Sequence, residues 1–390
     1  MARRVTAPVV DADLYGPDAL VDSRDLFARI REAGPVVWLP RHRMYAMGRF
    51  DDVRAALRDD ALFRSGHGVA ANPLTNALAR DTTLNSDDDI HTARRRVLMR
   101  SLGAKAIGAV EPALAREAQD VVEDALRRPH VEAAGDVASR LPSSVVATLV
   151  GVDGGSTRLL RWAAATFETL GPANGRGVRA MPRALGLYLY SRRLRPDSVA
   201  QGSWAASVFD AHARGELTLR EAKALVIDFV APALDTTILA TTYLLWLLGR
   251  HPETWDEVRA APELIPAMVV EAVRLASPIR GFTRELARDH EIDGVSMKQG
   301  ARVAVLFGAA NLDETAFPEP ERFDVRREHA AHVGWGNGPH TCVGIHLAKL
   351  EMRTLLEAMV PRVQRITVGT PVPLRNNTLQ GIAALPARFA

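Results

Sequence analysis

A chain of 390 residues, 47% hydrophobic and with a net charge of only +3, can bury a large core and has neither a disordered protein's composition nor a nucleic-acid binder's basic excess. Its single cysteine excludes an internal disulfide and a paired-cysteine metal knuckle. No run of about 18 apolar residues is free of charges or breakers, and no apolar segment follows the basic Met1-Ala2-Arg3-Arg4, so the sequence reads as cytoplasmic, without a membrane span.

Apolar residues recur at three- and four-residue steps over 24–31, 50–58, 93–102 and 111–126, and each run predicts a helix. Residues 36–38 and 44–47 flank Pro40-Arg41-His42 and read as an early hairpin. Between 62 and 89 the periodicity disappears among Gly, Asn, Pro and Asp. This stretch reads as a long loop of the kind that often carries function. Helices follow at 158–170 and 181–194, joined by a turn at 171–177. Thr218-Leu219-Arg220-Glu221 is a capping box that opens the longest helical pattern, to about Arg250, and 256–276 adds one or two helices more. Two extended runs about Asp293-Gly294 signal a hairpin. Residues 311–343 are irregular, 345–360 are helical, and the tail is strand-like near Pro371 and Gly381. The predicted class is mainly α with a minor β part near 35–48, 278–308 and 365–390, in one domain over 1–390.

The segment Trp335-Gly336-Asn337-Gly338-Pro339-His340-Thr341-Cys342-Val343-Gly344 puts glycines six and four residues before the cysteine and two after it. Glycine permits unusual backbone angles and the close approach of a flat ligand. The helix from about Ile345 turns its N-terminus toward the sulfur, where unpaired N–H groups favour a thiolate. The segment resembles the haem-binding loop of the cytochrome P450 family, Phe-Gly-x-Gly-x-His/Arg-x-Cys-x-Gly, with Trp335 where phenylalanine is usual.

That resemblance, to bacterial soluble members of the family, implies a triangular fold in which a long distal helix and the helix after the cysteine loop sandwich haem b (iron protoporphyrin IX). Cys342 is then the axial iron ligand, Trp335 and Gly336 lie against the haem, and His340 binds a propionate. His91 and Arg95, four apart on one helix face, resemble the family's His-x-x-x-Arg propionate pair, and Arg284 its third propionate cation. Glu271-Ala272-Val273-Arg274 resembles the Glu-x-x-Arg motif; its partner arginine is read as Arg322, with Arg327 the second choice. Pro232-Ala233-Leu234-Asp235-Thr236-Thr237 resembles the distal motif Ala/Gly-Gly-x-Asp/Glu-Thr-Thr, with Asp235 and Thr236 relaying the protons that oxygen activation consumes. Pro232 departs from that pattern. It lacks an N–H and crowds the carbonyl four residues back, which predicts a kink and a free Asp228 carbonyl.

Asp228, two helical turns before Asp235, is expected on the pocket face with Ala231, accepting a hydrogen bond from a substrate phenol or amine or pairing with Arg280. His67, Leu74, Phe167, Leu170, Ile279, Phe282 and Leu379 complete the expected pocket. Residues 65–69 and 231–235 resemble bacterial members that oxidise small para-substituted aromatic acids or aryl ethers. Asp228 would repel a carboxylate, so a neutral phenolic or methoxyaromatic substrate is equally indicated. No flavin or nicotinamide fingerprint occurs, so electrons must come from another protein. An acidic ferredoxin docking on Arg94, Arg95, Arg96, Arg100, Lys349 and Arg353 is expected. The reading is a monomeric monooxygenase that uses O2 and ferredoxin electrons to hydroxylate or O-dealkylate a small apolar aromatic molecule. A peroxide-driven peroxygenase and a haem sensor are the competing readings, and the Asp235-Thr236 pair counts against the first.

Overall fold

The apolar stripes read from the sequence face one another across a helical core. The computed structural model describes residues 6–152, 156–328 and 331–390, with 156 and 157 described by backbone only. The basic start at 1–4 lies outside them. Helices occupy Arg24–Ala33, Phe50–Arg58, Asp88–Leu102, Glu111–Arg127, Ser156–Leu170, Gly175–Arg193, Leu219–Arg250, Ile265–Ala276 and Ile345–Met359. Two of these, Asp88–Leu102 and Gly175–Arg193, begin well before the predicted starts at 93 and 181, where polar residues and glycines hide the apolar period. Asp87 stands at one N-cap, and at the other the Asn174 side chain accepts from the N–H groups of Arg176 and Gly177.

Three regions differ from the sequence reading. The expected loop over 62–89 contains a short strand, Phe63–Arg64, and a helix, Pro73–Ala79, too brief to show a period. Asn72 caps that helix by accepting from Thr75 N at 2.9 Å. Trp204–Ala213 is helical, with Ser203 accepting from Ala206 N at 3.1 Å. Residues 133–150 form three helical segments, two of them wound as π turns.

Both halves of the Thr218–Glu221 capping box are present at the head of the long helix. Its 32 residues are apolar enough to cross a bilayer by composition, but most of that apolar stretch is buried inside the protein. It packs on Ser156–Leu170, Trp204–Ala213 and Ile265–Ala276. Leu225, Leu245 and Leu248 have no exposed surface, and each such burial contributes roughly 1.5–3 kcal/mol. The helix runs through Pro232 without interruption.

A five-stranded sheet lies beside this core in the order Val37–Leu39, Met44–Met47, Arg302–Val305, Phe282–Leu286, Phe63–Arg64. Only Met44–Met47 and Arg302–Val305 run parallel, with Tyr45 opposite Val303. The second predicted hairpin pairs His290–Ile292 with Val295–Met297, and Asp293 and Gly294 both take the positive φ that its tight turn requires (48° and 81°).

The irregular chain before the cysteine loop is held from inside. Arg274 donates to both oxygens of Glu271 at 2.7 Å, and to the carbonyls of Asn311 (2.7 Å) and Pro320 (2.8 Å). The third member is Arg327, not Arg322. Arg327 Nε donates to Glu271 at 3.0 Å, and its other nitrogens reach the carbonyls of Pro318, Glu319 and Arg322. Arg322 points outward, 62% exposed, and pairs with Glu319. Buried carbonyls in a segment without strand or helix need donors, and the guanidinium forks supply them. Arg327→Ala should lower the unfolding free energy of the holoenzyme by about 1.5–3 kcal/mol, and Arg322→Ala should change it by less than about 0.5 kcal/mol. Urea denaturation of both variants distinguishes the two assignments.

Candidate active site

The backbone of the cysteine loop is fixed before any ligand is considered. Gly336 and Gly338 have φ of 71° and 69°. A Cβ on Gly338 would lie 2.4 Å from the Leu57 carbonyl oxygen, so only glycine lets the loop dock on the end of Phe50–Arg58. Arg58 Nε then donates to Asn337 Oδ1 at 2.8 Å, and Cys342 N–H closes the loop on Trp335 O at 2.8 Å. Burial pushes the Cys342 thiol up, and the Gly344 N–H and Arg95 oppose this without reversing it. The thiolate preference expected from the helix N-terminus is thus outweighed by desolvation.

Cys342 opens on a cavity of about 1450 Å³, mouth included, that lies between the long helix and the helix Ile345–Met359. Its edge carries His91, Arg95, Arg284 and His340. The two imidazoles stack with centroids 4.1 Å apart. Burial, then the neighbouring His340 and Arg95, brings His91 down to about 4. Burial also lowers His340, against the pull of Asp87 at 3.9 Å. Burial would raise Asp87, but His340, the N–H groups of Ser65 and Gly66, and Arg64 bring it to about 2. Burial lowers Arg284 to about 10. The Nε2 atoms of His91 and His340 and the indole nitrogen of Trp335 are buried without a hydrogen-bond partner.

At 3.6 residues per turn, Asp228, Pro232, Thr236 and Ala240 fall on one stripe of the long helix, and all four line the cavity. Thr236 Oγ1 donates to the Pro232 carbonyl at 2.9 Å. Asp235 lies just past the edge of that stripe. One of its oxygens is buried without a partner, and burial raises its carboxyl to about 7.

The family model for cytochrome P450 matches residues 203–389. Cytochrome P450 CYP199A2 of Rhodopseudomonas palustris is 31% identical over 98% of this chain and 94% of its own. The chain belongs to the cytochrome P450 family. Linalool 8-monooxygenase of Pseudomonas putida is 27% identical over 96% of this chain and 97% of its own. The fold is also that of P450BioI, solved with an acyl carrier protein, at a TM-score of 0.86 and 21% identity over 96% of this chain and 99% of that one. This P450 is accordingly a monooxygenase with haem b as its cofactor, drawing on O2 and electrons from a redox partner. The cavity fits that group. A flat apolar ligand edged by two carboxylates meets an apolar slot whose rim holds unpartnered donors and cations with no acid bonded to them.

The structure brings His91, Arg95, Arg284, His340, Trp335, Gly336, Cys342 and Thr236 to this one cavity, with Asp228, Phe167, Ile279 and Phe282. It does not bring Asp235, His67, Leu74, Leu170, Ala231 or Leu379 to the cavity wall. His67 is 85% exposed beside Glu285, and Leu74 is 57% exposed on its short helix. Ala231 lies inside the helix packing, Leu379 bridges to Ile279, and Leu170 lines a smaller cavity next door. Instead, Thr83 and Leu84 line it, and Trp204, Phe229 and Phe307 add aromatic wall. Phe282 and Arg284, two apart on the strand Phe282–Leu286, share the face that meets the cavity.

Asp228 does not pair with Arg280. It accepts from Thr83 N at 2.8 Å, and burial raises its carboxyl to about 6. Arg94, expected on a docking surface, is buried. It donates to the carbonyls of Arg80 and Thr82 at 3.0 Å each, and to Glu221. The sequence reading missed Asp87 and also Glu351, which is 3% exposed on the cysteine helix with both oxygens unpartnered. Its carboxyl is raised well above the usual range by burial.

Asp235 titrates higher in the folded state than the ordinary 3.8. The stability linked to it is complete below about pH 4 and is lost as pH rises through about 7. Asp235→Asn should therefore lose less stability than the parent over that interval. Denaturation midpoints that stay parallel across it would remove the linkage.

Proposed function

We propose that this P450 hydroxylates or O-dealkylates a small neutral aromatic molecule, and that Cys342 would be the protein ligand of the haem iron. The observation that carries the ligand assignment is the position of Cys342, the chain's single cysteine, on the wall of a cavity rimmed by unpartnered donors. His91, Arg95, Arg284 and His340 would hold the propionates, and Trp335 and Gly336 would lie against the ring. Bound haem supplies oxygen activation, in which one oxygen atom enters the substrate and the other leaves as water. Ligation to the iron would deprotonate the sulfur, which would remove the conflict with its raised thiol. Thr236 holds its hydroxyl on the cavity wall through the Pro232 carbonyl. Asp235, poised near neutrality, supplies protons from behind it.

The substrate reading rests on the wall. Phe167, Trp204, Phe229, Phe282 and Phe307 offer aromatic surface, and Asp228 is the one carboxylate among the described lining residues. An aromatic acid placed against Asp228 would meet like charge, whereas a phenol or aryl ether would not. Phenols and methoxyaromatic compounds should shift the haem spin state of the purified enzyme, with aromatic acids bound at least about tenfold more weakly. Asp228→Leu should weaken phenol binding, and equal affinities in parent and variant would discard that contact. Cys342→Ala should lose the thiolate-haem absorption signature; a variant that kept it would overturn the ligand assignment.

The electron donor is an acidic ferredoxin and the enzyme works as a cytoplasmic monomer. With Arg94 and Arg95 turned inward, and Arg100 and Arg353 paired with Glu216 and Glu111, the docking charge reduces to Arg96 and Lys349. Arg96→Glu and Lys349→Glu should slow reduction at low salt and leave denaturation midpoints unchanged. Stopped-flow reduction rates equal to the parent's would place the docking face elsewhere.

A further inference from the structure

Arg280 is a buried cation without a counter-charge. Its side chain is 3% exposed, and among the described residues no carboxylate forms an ion pair with it. Nη2 donates to the Leu14 carbonyl at 3.0 Å and to Ser23 Oγ at 2.9 Å. Nε and Nη1 are buried and have no partner. The Phe27 ring lies 5.8 Å away and supplies only a weak cation–π contact. Burial lowers the guanidinium to about 10, still charged at neutral pH. A buried charge left unpaired costs several kcal/mol, so something must meet those two N–H groups.

Arg280 borders a separate small cavity, walled also by Tyr15, Thr283 and Thr378 and by the apolar Leu170 and Phe282. Its polar side chains are hydroxyls, an amide and the guanidinium, with no acid among them. The amide, Asn377, is already engaged with Glu168 O and Asn174. Burial raises the Tyr15 phenol to about 12, so it stays protonated and can donate. Arg302, beside Thr283, adds positive charge without a carboxylate bonded to it. The cavity has room for roughly one or two water-sized species. A phosphate or a substrate carboxylate is too large for it.

We propose that this cavity is a binding site for one small monovalent anion of halide or nitrate size, held by Arg280 Nε and Nη1 with Tyr15 and Thr378. The bound anion completes the charge balance of Arg280. It also joins the segment around Leu14–Tyr15, the strand Phe282–Leu286 and the turn at 376–378 behind Phe282, whose ring shares an edge-on contact with Phe307 in the active-site wall. The site is independent of the substrate assigned above.

The test uses the holoenzyme at constant ionic strength. In chloride, bromide or nitrate the melting temperature should exceed that in gluconate, which is too large to enter, and should rise with anion concentration. Arg280→Met should abolish the difference, and Tyr15→Phe should raise the half-saturating concentration by at least about threefold. Crystals grown in bromide should show an anomalous peak within hydrogen-bonding distance of Arg280. Bromide at surface positions only, with equal melting in chloride and gluconate, would mean that water fills the cavity and would overturn the proposal. The bromide experiment needs only the parent protein, so it decides the matter even if Arg280→Met fails to fold.

Discussion

Charge held away from water is costly unless something answers it, and the interior of this protein is arranged around that cost. At the cavity rim, His91 and His340 have been made neutral by burial, while Arg95 and Arg284 keep their charge despite it. Among the described residues nothing acidic bonds directly to either arginine. Asp87, the carboxylate that acts on Arg284, is itself occupied by backbone amides. A rim built this way is incomplete as protein alone. On the proposed reading the two propionates of haem would answer it, and the cofactor would then be part of the electrostatic balance of the fold as well as the seat of the chemistry.

The same logic explains the Glu271–Arg274–Arg327 cluster in the opposite sense. There the charges are answered inside the protein, and the surplus donors of the two arginines go to carbonyls of a segment that forms neither helix nor strand. The rigidity of the cysteine loop is borrowed from this cluster on one side. On the other it comes from the close contact of Gly338 with the end of Phe50–Arg58. A wandering loop would not hold a sulfur at a fixed place on the cavity wall.

Much of this was legible in sequence because it follows from period and spacing. The amphipathic helices, the Asp293-Gly294 hairpin and the glycine frame of Cys342 each carry a local signature. The four rim residues were found through a resemblance, and they do share one cavity. Where the chain is irregular, no period tells which side chain turns inward. Arg322 and Arg327 are indistinguishable by composition, and only the three-dimensional path places Arg327 on Glu271. The short helix Pro73–Ala79 hid for a related reason, having fewer than three turns. Arg94 was misread because a run of three arginines looks like surface. On a helix they point about 100° apart, so one is buried, one lines the cavity and one is exposed.

The segment 65–87, which brings Thr83 and Leu84 to the cavity wall, is gripped by its main chain as well as by its side chains. Asp228 holds the Thr83 amide, Arg94 holds the Arg80 and Thr82 carbonyls, and Asp87 holds the Ser65 and Gly66 amides. Each of these side chains grips main-chain atoms of the segment, although Arg94 also pairs with Glu221 and Asp87 with Arg64, and two of the three, Arg94 and Asp228, stand outside the segment they secure. The segment's own Asn72 and Thr75 add side-chain ties to the carbonyls of Thr169 and Gly171, and Asp81 pairs with Arg220. The exposed His67 and Leu74 take no part in these ties and are free to drift through mutation while the segment stays seated. A lineage with this architecture can vary the outer face of that segment without first solving a folding problem.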